Sequence, residues 1–492
     1  MSEPAPLDVL IVGAGISGIS MGAHLKRMCP HFSFALVDRR DAPGGTWDLF
    51  RYPGVRSDSD MATLAFSFAP WTGSKGIASG EEIRAYLKDV VDGHGFAPHL
   101  RCGTRVLSAD WRPDESLWRV EVEDAAGRSQ IASRFLYLAS GYYDYDQPHE
   151  PDLPGLDEFA GQVVHPQFWP AGLDLKGKRA VVIGSGATAV SLVPALSAQG
   201  AHVTMLQRTP TWMVAQPSTD GLGERLRRWL PERLALRLNR FIKLRLGWAF
   251  FQRARRQPGA VADYLRSHLR EQLGERYNTT DFEPPYNPWD QRLCLVPDGD
   301  LFAAIRDGSA RVVMGEITGF APDGVRLASG AMLPAHVVVT ATGLKLQIGG
   351  GIAVTLDGQP VGWEERWFYR NCMFSGLPNL AVVFGYLNAS WTLRADMVAD
   401  YVTRVLRHMR SVNAAVAVPQ LPAGHGMRED DIILYSSGYL QRAKPLMPKS
   451  APTLPWRLNQ NFIEDRADYR QRPVADGVLR FLPAVANGRK MA

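Results

Sequence analysis

Three glycines, Gly13, Gly15 and Gly18, stand in GxGxxG spacing, and Asp38 follows twenty residues after the last. Glycines so placed hold a pyrophosphate. Gly13 permits a tight turn, Gly15 lets the backbone approach the phosphates, and Gly18 allows close packing of helix on strand. A carboxylate at Asp38 accepts hydrogen bonds from the hydroxyls of an adenosine ribose. The device recurs at Gly184, Gly186 and Ala189, spaced GxGxxA, but its far end carries Gln207 and Arg208 in place of an acid. No carboxylate is there to bind a free 2′-hydroxyl, and the fork of donors on an arginine suits a 2′-phosphate. The first pattern therefore predicts FAD and the second NADPH; the competing reading of Arg208 is a solvated arginine at a strand end. Such a pair passes hydride from NADPH to a flavin, and a reduced flavin can meet dioxygen. A simple dehydrogenase needs only one such fold. A disulfide reductase needs a cysteine pair beside the flavin, and Cys29, Cys102, Cys294 and Cys372 offer no such spacing. An oxidase or a monooxygenase remains.

Each glycine pattern needs a strand before it and a helix after it, and the sequence supplies both. Asp8–Val12 is an apolar run read as a buried parallel strand, a helical pattern continues to about Met28, and Phe34–Val37 is the next strand. In the second unit Arg179–Ile183 is the strand, the helix runs to about Gln199, and His202–Leu206 follows. The helix N-terminus in each unit turns unpaired N–H groups toward the phosphates. With strand, helix and terminal residue all in place, the patterns outweigh the reading of isolated glycine turns.

The chain is 492 residues long, with 46% hydrophobic and 21% charged residues and a formal net charge of +5. That length suits two domains or three lobes, and so mild a charge does not point to nucleic acid. The cysteines suit neither a disulfide framework nor a zinc site, so no metal is expected and a reducing, cytoplasmic compartment is. The N-terminus has no basic segment followed by a long apolar one, and no apolar run is long enough to span a membrane.

Between the two glycine units the chain reads FAGQVVHPQFWP, so that Phe159, Gly161, His165, Trp169 and Pro170 match FxGxxxHxxxWP. This resembles the fingerprint of type I Baeyer–Villiger monooxygenases, a branch of the class B flavoprotein monooxygenases. Related N- and S-oxygenating enzymes usually carry Tyr or Phe at the place of Trp169. GGTWDLFRYPGVRSDSDMATLAFSF, from Gly44 to Phe68, is similar to that family's flavin-proximal loop, and SSGYLQRAKPLMPKSAPTLPWRLNQNF resembles the tail of its ethionamide-activating subgroup. His165 and Trp169 have a second reading, as residues that pack where two domains meet.

The resemblance implies an α/β fold with two Rossmann-like dinucleotide-binding domains. Thr340–Gly343, reading TATG after the apolar run Val337–Val339, looks like the point of return to the FAD domain. The FAD domain is then split, residues 1–145 and 339–492, around an NADPH domain, 146–338, that carries a helical insert at about 221–275. The implied reaction is oxygen insertion beside a carbonyl, by way of a peroxide at flavin C4a whose anion is the nucleophile. Ketones are the implied substrates, with sulfides as a side class. Arg292, in NPWDQRLCLVPDGD, occupies the place of the family's active-site arginine, which stabilises that anion without donating a proton. Asp58 matches the acid beside it. Without the resemblance, Arg292 reads as a partner of Asp290, and Asp58 as a turn residue.

The resemblance also implies that Ser17, Gly45, Thr46, Trp47, Asp48 and Leu49 line FAD and that Val106 offers backbone atoms to its adenine. Arg56 and Ser57 face the nicotinamide half, and Asp58 contacts the nucleotides; Ser185, Gly186, Ala187 and Thr188 hold the NADPH pyrophosphate. One departure stands out. Many relatives have lysine just before the arginine, where this chain has Gln291, so Arg208 grips the 2′-phosphate alone or with Gln207 and Thr209. Rival functions are an N- or S-oxygenating monooxygenase, a catalytically silent NADPH-binding sensor and an NADPH oxidase.

One further segment, residues 224–256, is basic and apolar at once. Leu226, Leu230, Leu234, Leu238, Ile242 and Leu246 fall at i+4 steps among many arginines, with Trp229 and Trp248 as aromatic anchors. Pro231 starts or kinks a helix there. The favoured expectation is a helical subdomain packed over the NADPH domain with a solvated basic face. A lid over a lipophilic substrate and peripheral membrane contact are the alternatives.

Overall fold

The computed structural model describes residues 4–431 and 435–484. The last eight residues of the expected C-terminal FAD segment lie outside them. The first glycine unit forms β1 (Leu7–Val12), α1 (Ile16–Met28) and β2 (Phe34–Val37). β1 is buried because it has parallel neighbours on both sides, β2 and the strand Gly127–Leu138. These belong to a nine-stranded sheet whose antiparallel members are Arg105–Arg112, Leu117–Asp124 and Gly127–Leu138. Leu100–Arg101 pairs with β2 at one edge, and three late strands complete the sheet: Ala353–Leu356 pairs with Arg105–Arg112, Gln359–Pro360 antiparallel with Ala353–Leu356, and Leu380–Val382 with Gly127–Leu138.

The second unit forms β3 (Arg179–Ile183), α2 (Ala187–Ala198) and β4 (His202–Gln207). Its five-stranded sheet is parallel throughout, in the order Ala310–Met314, β4, β3, Val337–Thr340, Gln162–Val164. Gln162–Val164, inside the FxGxxxHxxxWP segment, is therefore its edge. Gly161 turns the chain into that edge strand, where a Cβ would stand 2.5 Å from the His336 carbonyl oxygen.

Three helices follow the second unit: α3 (Gly221–Trp229), α4 (Glu232–Arg256) and α5 (Pro258–Leu273). Pro231 stands immediately before α4, where its fixed φ and missing N–H cost nothing. The expected packing needs correction. α4 lies on the one-turn helix Met61–Leu64 of the first unit as well as on α5: Arg240 donates to the carbonyls of Ala62 and Ala65 at 3.0 and 2.6 Å. Nor do the i+4 leucines form its packing face, since Leu234 and Leu246 are exposed and Ala235 and Asn239 are buried. Each i+4 step turns about 40° around a helix, so a long run of them wraps round the surface. No helix among the described residues is long and apolar enough to cross a membrane. Later in the chain come α6 (Asp300–Arg306), α7 (Trp391–Ser411) and α8 (Gly438–Ala443).

Candidate active site

Both glycine turns are built by close approach. Gly13 has φ +107°, and a Cβ there would stand 2.5 Å from the Ala139 carbonyl oxygen; Gly184 has φ +133°, with the Ala341 carbonyl oxygen at 2.3 Å. A Cβ on Gly18 would be 1.8 Å from the Gly13 carbonyl oxygen, so only glycine lets α1 start there. Neither Gly15 nor Gly186, the N-caps of α1 and α2, supplies a side-chain cap. The first-turn N–H groups of both helices are left for an anion. Both turns thus fit a pyrophosphate.

The first cradle opens into the main cleft of the molecule, which is lined by Gly13, Gly15, Ser17, Asp38, Gly45, Thr46, Trp47, Arg56, Ser57, Asp58 and Val106. Gly45 closes over Gly15, since a Cβ on Gly45 would stand 2.8 Å from the Gly15 Cα. Asp38 accepts from the N–H of Ala14 at 2.6 Å and of Arg40 at 2.9 Å. Burial pushes its carboxyl above the ordinary range, and those two bonds pull it partly back. Two expected neighbours of the flavin do not line the cleft. The Asp48 carboxylate is taken by Arg40 and Arg51, with Arg84 at 3.7 Å, and Leu49 packs into the core of the second unit. Ala187 and Thr188 of α2 reach the same cleft.

At the far end of the second cradle, the two expected 2′-phosphate residues part company. The Gln207 carboxamide is buried and donates to the Asp281 carbonyl at 2.6 Å, so it is spent on the fold. Arg208 is exposed and, among the described residues, makes no hydrogen bond or ion pair. Ser185 donates to the Thr209 carbonyl at 2.7 Å, and Ala189 is buried against β3.

Arg292 and Asp58 meet where the two units face each other. The guanidinium donates to the Asp58 carboxylate at 2.8 Å and to the Leu387 carbonyl at 3.1 Å. Asp290, the alternative partner, is instead paired with Arg255 at 2.6 Å. Burial disfavours the charge on Arg292, but the Asp58 carboxylate together with Tyr439, Tyr142 and Tyr143 more than offsets it, and the guanidinium is held well above its ordinary value. The side chains are 34% and 40% exposed, so a molecule in the cleft can touch both. Arg56 is less free, its guanidinium pairing with Asp300 at the start of α6. Ser57 is buried and bonded to the backbone of Ala78.

His165 sits between the units rather than in the cleft. Its Nδ1 accepts from the Gln167 N–H at 3.1 Å, the Gln167 side chain donates to the Asp144 carbonyl at 2.8 Å, and Trp169 packs on the core of the second unit. Burial lowers the imidazole to about 4, partly offset by a backbone bond with Gly343 in the TATG segment, so it is neutral at pH 7.

Six lining aromatics escaped the sequence reading, Phe50 and Tyr52 in the flavin-proximal loop and four others. Trp391, at the start of α7, donates to Ser17 Oγ at 2.8 Å and stacks on Tyr142 at 4.8 Å. The hydroxyls of Tyr142 and Tyr143 are 2.7 Å apart, and burial raises both phenols above their usual value. Tyr145 lies beside Gly45. The available signal is position: GYYDY directly follows the strand Gly127–Leu138, and ligands of open α/β sheets sit beyond the carboxyl ends of the strands.

The family described as pyridine nucleotide-disulphide oxidoreductase matches residues 10–245, although all four cysteines are free. The chain is 46% identical to FAD-containing monooxygenase EthA of Mycobacterium tuberculosis, over 96% of this chain and 97% of the relative. It is 45% identical to probable FAD-binding monooxygenase AlmA of Acinetobacter baylyi, over 96% of each. Among solved structures, oxidized steroid monooxygenase bound to NADP superposes with TM-score 0.75 at 21% identity, over 97% of this chain and 100% of that one. OTEMO in complex with FAD and NADP gives 0.69 at 23% identity, over 85% and 87%. The structural likeness shows the same fold; the sequence identity, sustained over nearly the whole of both chains, shows more: this chain belongs to the family of FAD-containing monooxygenases.

Proposed function

We propose that the enzyme uses NADPH and O2 to insert an oxygen atom beside the carbonyl of a ketone, a Baeyer–Villiger oxidation giving an ester or lactone. The observation that carries this is the Arg292–Asp58 pair, accessible in the cleft and free of Asp290. FAD, when bound, takes hydride from NADPH and supplies oxygen activated from O2. The chain's own residues do the rest. Asp38 and the N-terminus of α1 hold the flavin nucleotide; α2 and Arg208 hold the NADPH pyrophosphate and 2′-phosphate. As oxygen adds to the carbonyl carbon, negative charge gathers on oxygen. The Arg292 guanidinium stabilises that charge and gives up no proton, because it is always protonated. Asp58 and the Leu387 carbonyl fix the plane of the guanidinium.

The domain limits we assign are 1–145 and 339–492 for FAD and 146–338 for NADPH. A thioether or thioamide in the same cleft is a secondary substrate, since soft sulfur accepts oxygen without carbonyl charge to stabilise. The free cysteines suit the cytoplasm, with peripheral membrane contact through residues 224–256. The test is to reduce the purified protein with NADPH without air, add oxygenated buffer, and analyse products with and without a ketone. Ester in proportion to NADPH is the expected result. Stoichiometric hydrogen peroxide, unchanged by ketones or sulfides, would falsify the proposal in favour of an oxidase.

A further inference from the structure

Residues 224–256 contain eleven Lys or Arg and two Glu, a formal +9; the whole chain is +5, so the remainder carries −4. The cations on the inward side of α4 have partners. Lys243 pairs with Asp60 at 2.7 Å and Asp220 at 3.3 Å, and Arg255 with Asp290 at 2.6 Å. The outward ones do not: Arg225, Arg228, Arg233, Arg237, Arg253 and Arg256 are exposed and make no hydrogen bond or ion pair among the described residues. Between them stand large apolar side chains. Trp229 is 86% exposed, and Leu234, Phe241 and Leu246 are each at least 50% exposed. Leu234 and Phe241 are two turns apart on one face of α4, and the Arg245 guanidinium lies over the Phe241 ring at 5.3 Å.

We infer that the outward face of α3 and α4 docks on an anionic lipid surface. The exposed apolar side chains enter the interface and the unpaired guanidinium groups meet lipid phosphates. A second copy of the chain is a poor occupant, because the same strongly basic face would meet itself across a two-fold axis. Docking also bears on the active site, because α4 braces both halves of the catalytic pair. Asp60, held by Lys243, is two residues from Asp58. Asp290, held by Arg255, is two from Arg292, and Phe251 packs edge-on against Trp289 at 5.4 Å. A docked enzyme thus holds its cleft beside the membrane, and its substrate is a ketone dissolved in lipid. This second step rests on the oxygenase reading; the docking does not.

The test uses the holoenzyme sedimented with vesicles of phosphatidylcholine plus phosphatidylglycerol, and of phosphatidylcholine alone, at low and high salt. Binding to the anionic vesicles at low salt is expected to exceed binding to neutral ones by at least about tenfold and to weaken with salt. The triple variant Arg233→Glu, Arg237→Glu, Arg245→Glu loses that binding, and Phe241→Ser weakens it. Both variants keep NADPH oxidation with a water-soluble ketone within about twofold of the parent, since none of these side chains faces the cleft. Protein that stays in the supernatant, equal binding to both vesicles, or undiminished binding by the triple variant each overturns docking. So does a dimer abolished by Phe241→Ser in a protein that ignores vesicles, which makes a second copy the occupant. Anionic vesicles are expected to raise kcat/KM for a long-chain ketone in the parent and not in the triple variant. No rise in a protein that docks and oxidises the soluble ketone overturns lipid delivery alone. Failure to oxidise any ketone strikes the oxygenase reading instead.

Discussion

The two nucleotide cradles share a backbone and differ in what closes them. Gly13 and Gly184 make the same turn against a carbonyl oxygen, and α1 and α2 both begin without a side-chain cap. The first cradle is then sealed. Gly45 folds over Gly15, Trp391 from the distant α7 reaches Ser17, and Asp38 is buried. The second stays open: a Cβ on Gly186 would meet nothing within 4 Å, and Arg208 stands exposed at the strand end. On the assignment proposed above, the same local device serves FAD in the covered cradle and NADPH in the open one, with the difference made by distant covering residues.

The sharpest break in that comparison is Gly18→Ala. A Cβ 1.8 Å from a backbone oxygen cannot be relieved by a rotamer, so the variant should purify essentially without flavin, read as the ratio of absorbance at the flavin band to that of protein. Gly186→Ala, at the place in the open cradle that Gly15 takes in the first, should leave KM for NADPH within about threefold; a large rise would show that cradle to be as tightly closed as the first.

Arg292→Ala lies between the cradles and should spare both. Flavin content and anaerobic reduction by NADPH should persist while ester formation falls by about 10²–10³, the usual loss for one charge-stabilising donor. Parallel loss of reduction would mean that Arg292 holds nicotinamide rather than the reacting oxygen. Arg208→Ala should raise KM for NADPH about 10–100-fold, the worth of one charge-assisted contact, and leave KM for NADH unchanged. Equal effects on both would remove the 2′-phosphate assignment.

The smallest effect concerns the joint. His165 is lowered from 6.5 to about 4 in the fold, so the unfolded chain binds more protons between those values and stability falls as pH drops through them. The loss at pH 5.5 should be about 1 kcal/mol relative to pH 7. His165→Asn, which keeps an acceptor for the Gln167 N–H, should flatten that slope in urea unfolding. An unchanged slope would assign it to other groups.

What could be read without coordinates was local. Gly13, Gly15, Gly18 and Asp38 fall within one strand–helix–strand unit, as do Gly184, Gly186 and Arg208, so spacing alone carries their geometry. The break at Pro231 was legible for the same reason. What spacing could not carry was choice of partner. Arg292 had Asp290 two residues away, yet α4 supplies Arg255 to occupy that acid, and the fold brings Asp58 across 234 positions. Gln207 looked like a helper of Arg208, but packing spends it on Asp281. Tyr142, Tyr143 and Trp391 carry no periodic signal, and only the meeting of a strand end with α7 makes them one wall. The leucines of α4 held an i+4 rhythm, but which side of that helix meets protein was decided by Ala62, Ala65 and Asp60 on a short helix and its caps far away in sequence. Short-range backbone geometry is written in neighbouring residues; competition among partners is settled only when the whole chain has chosen its contacts.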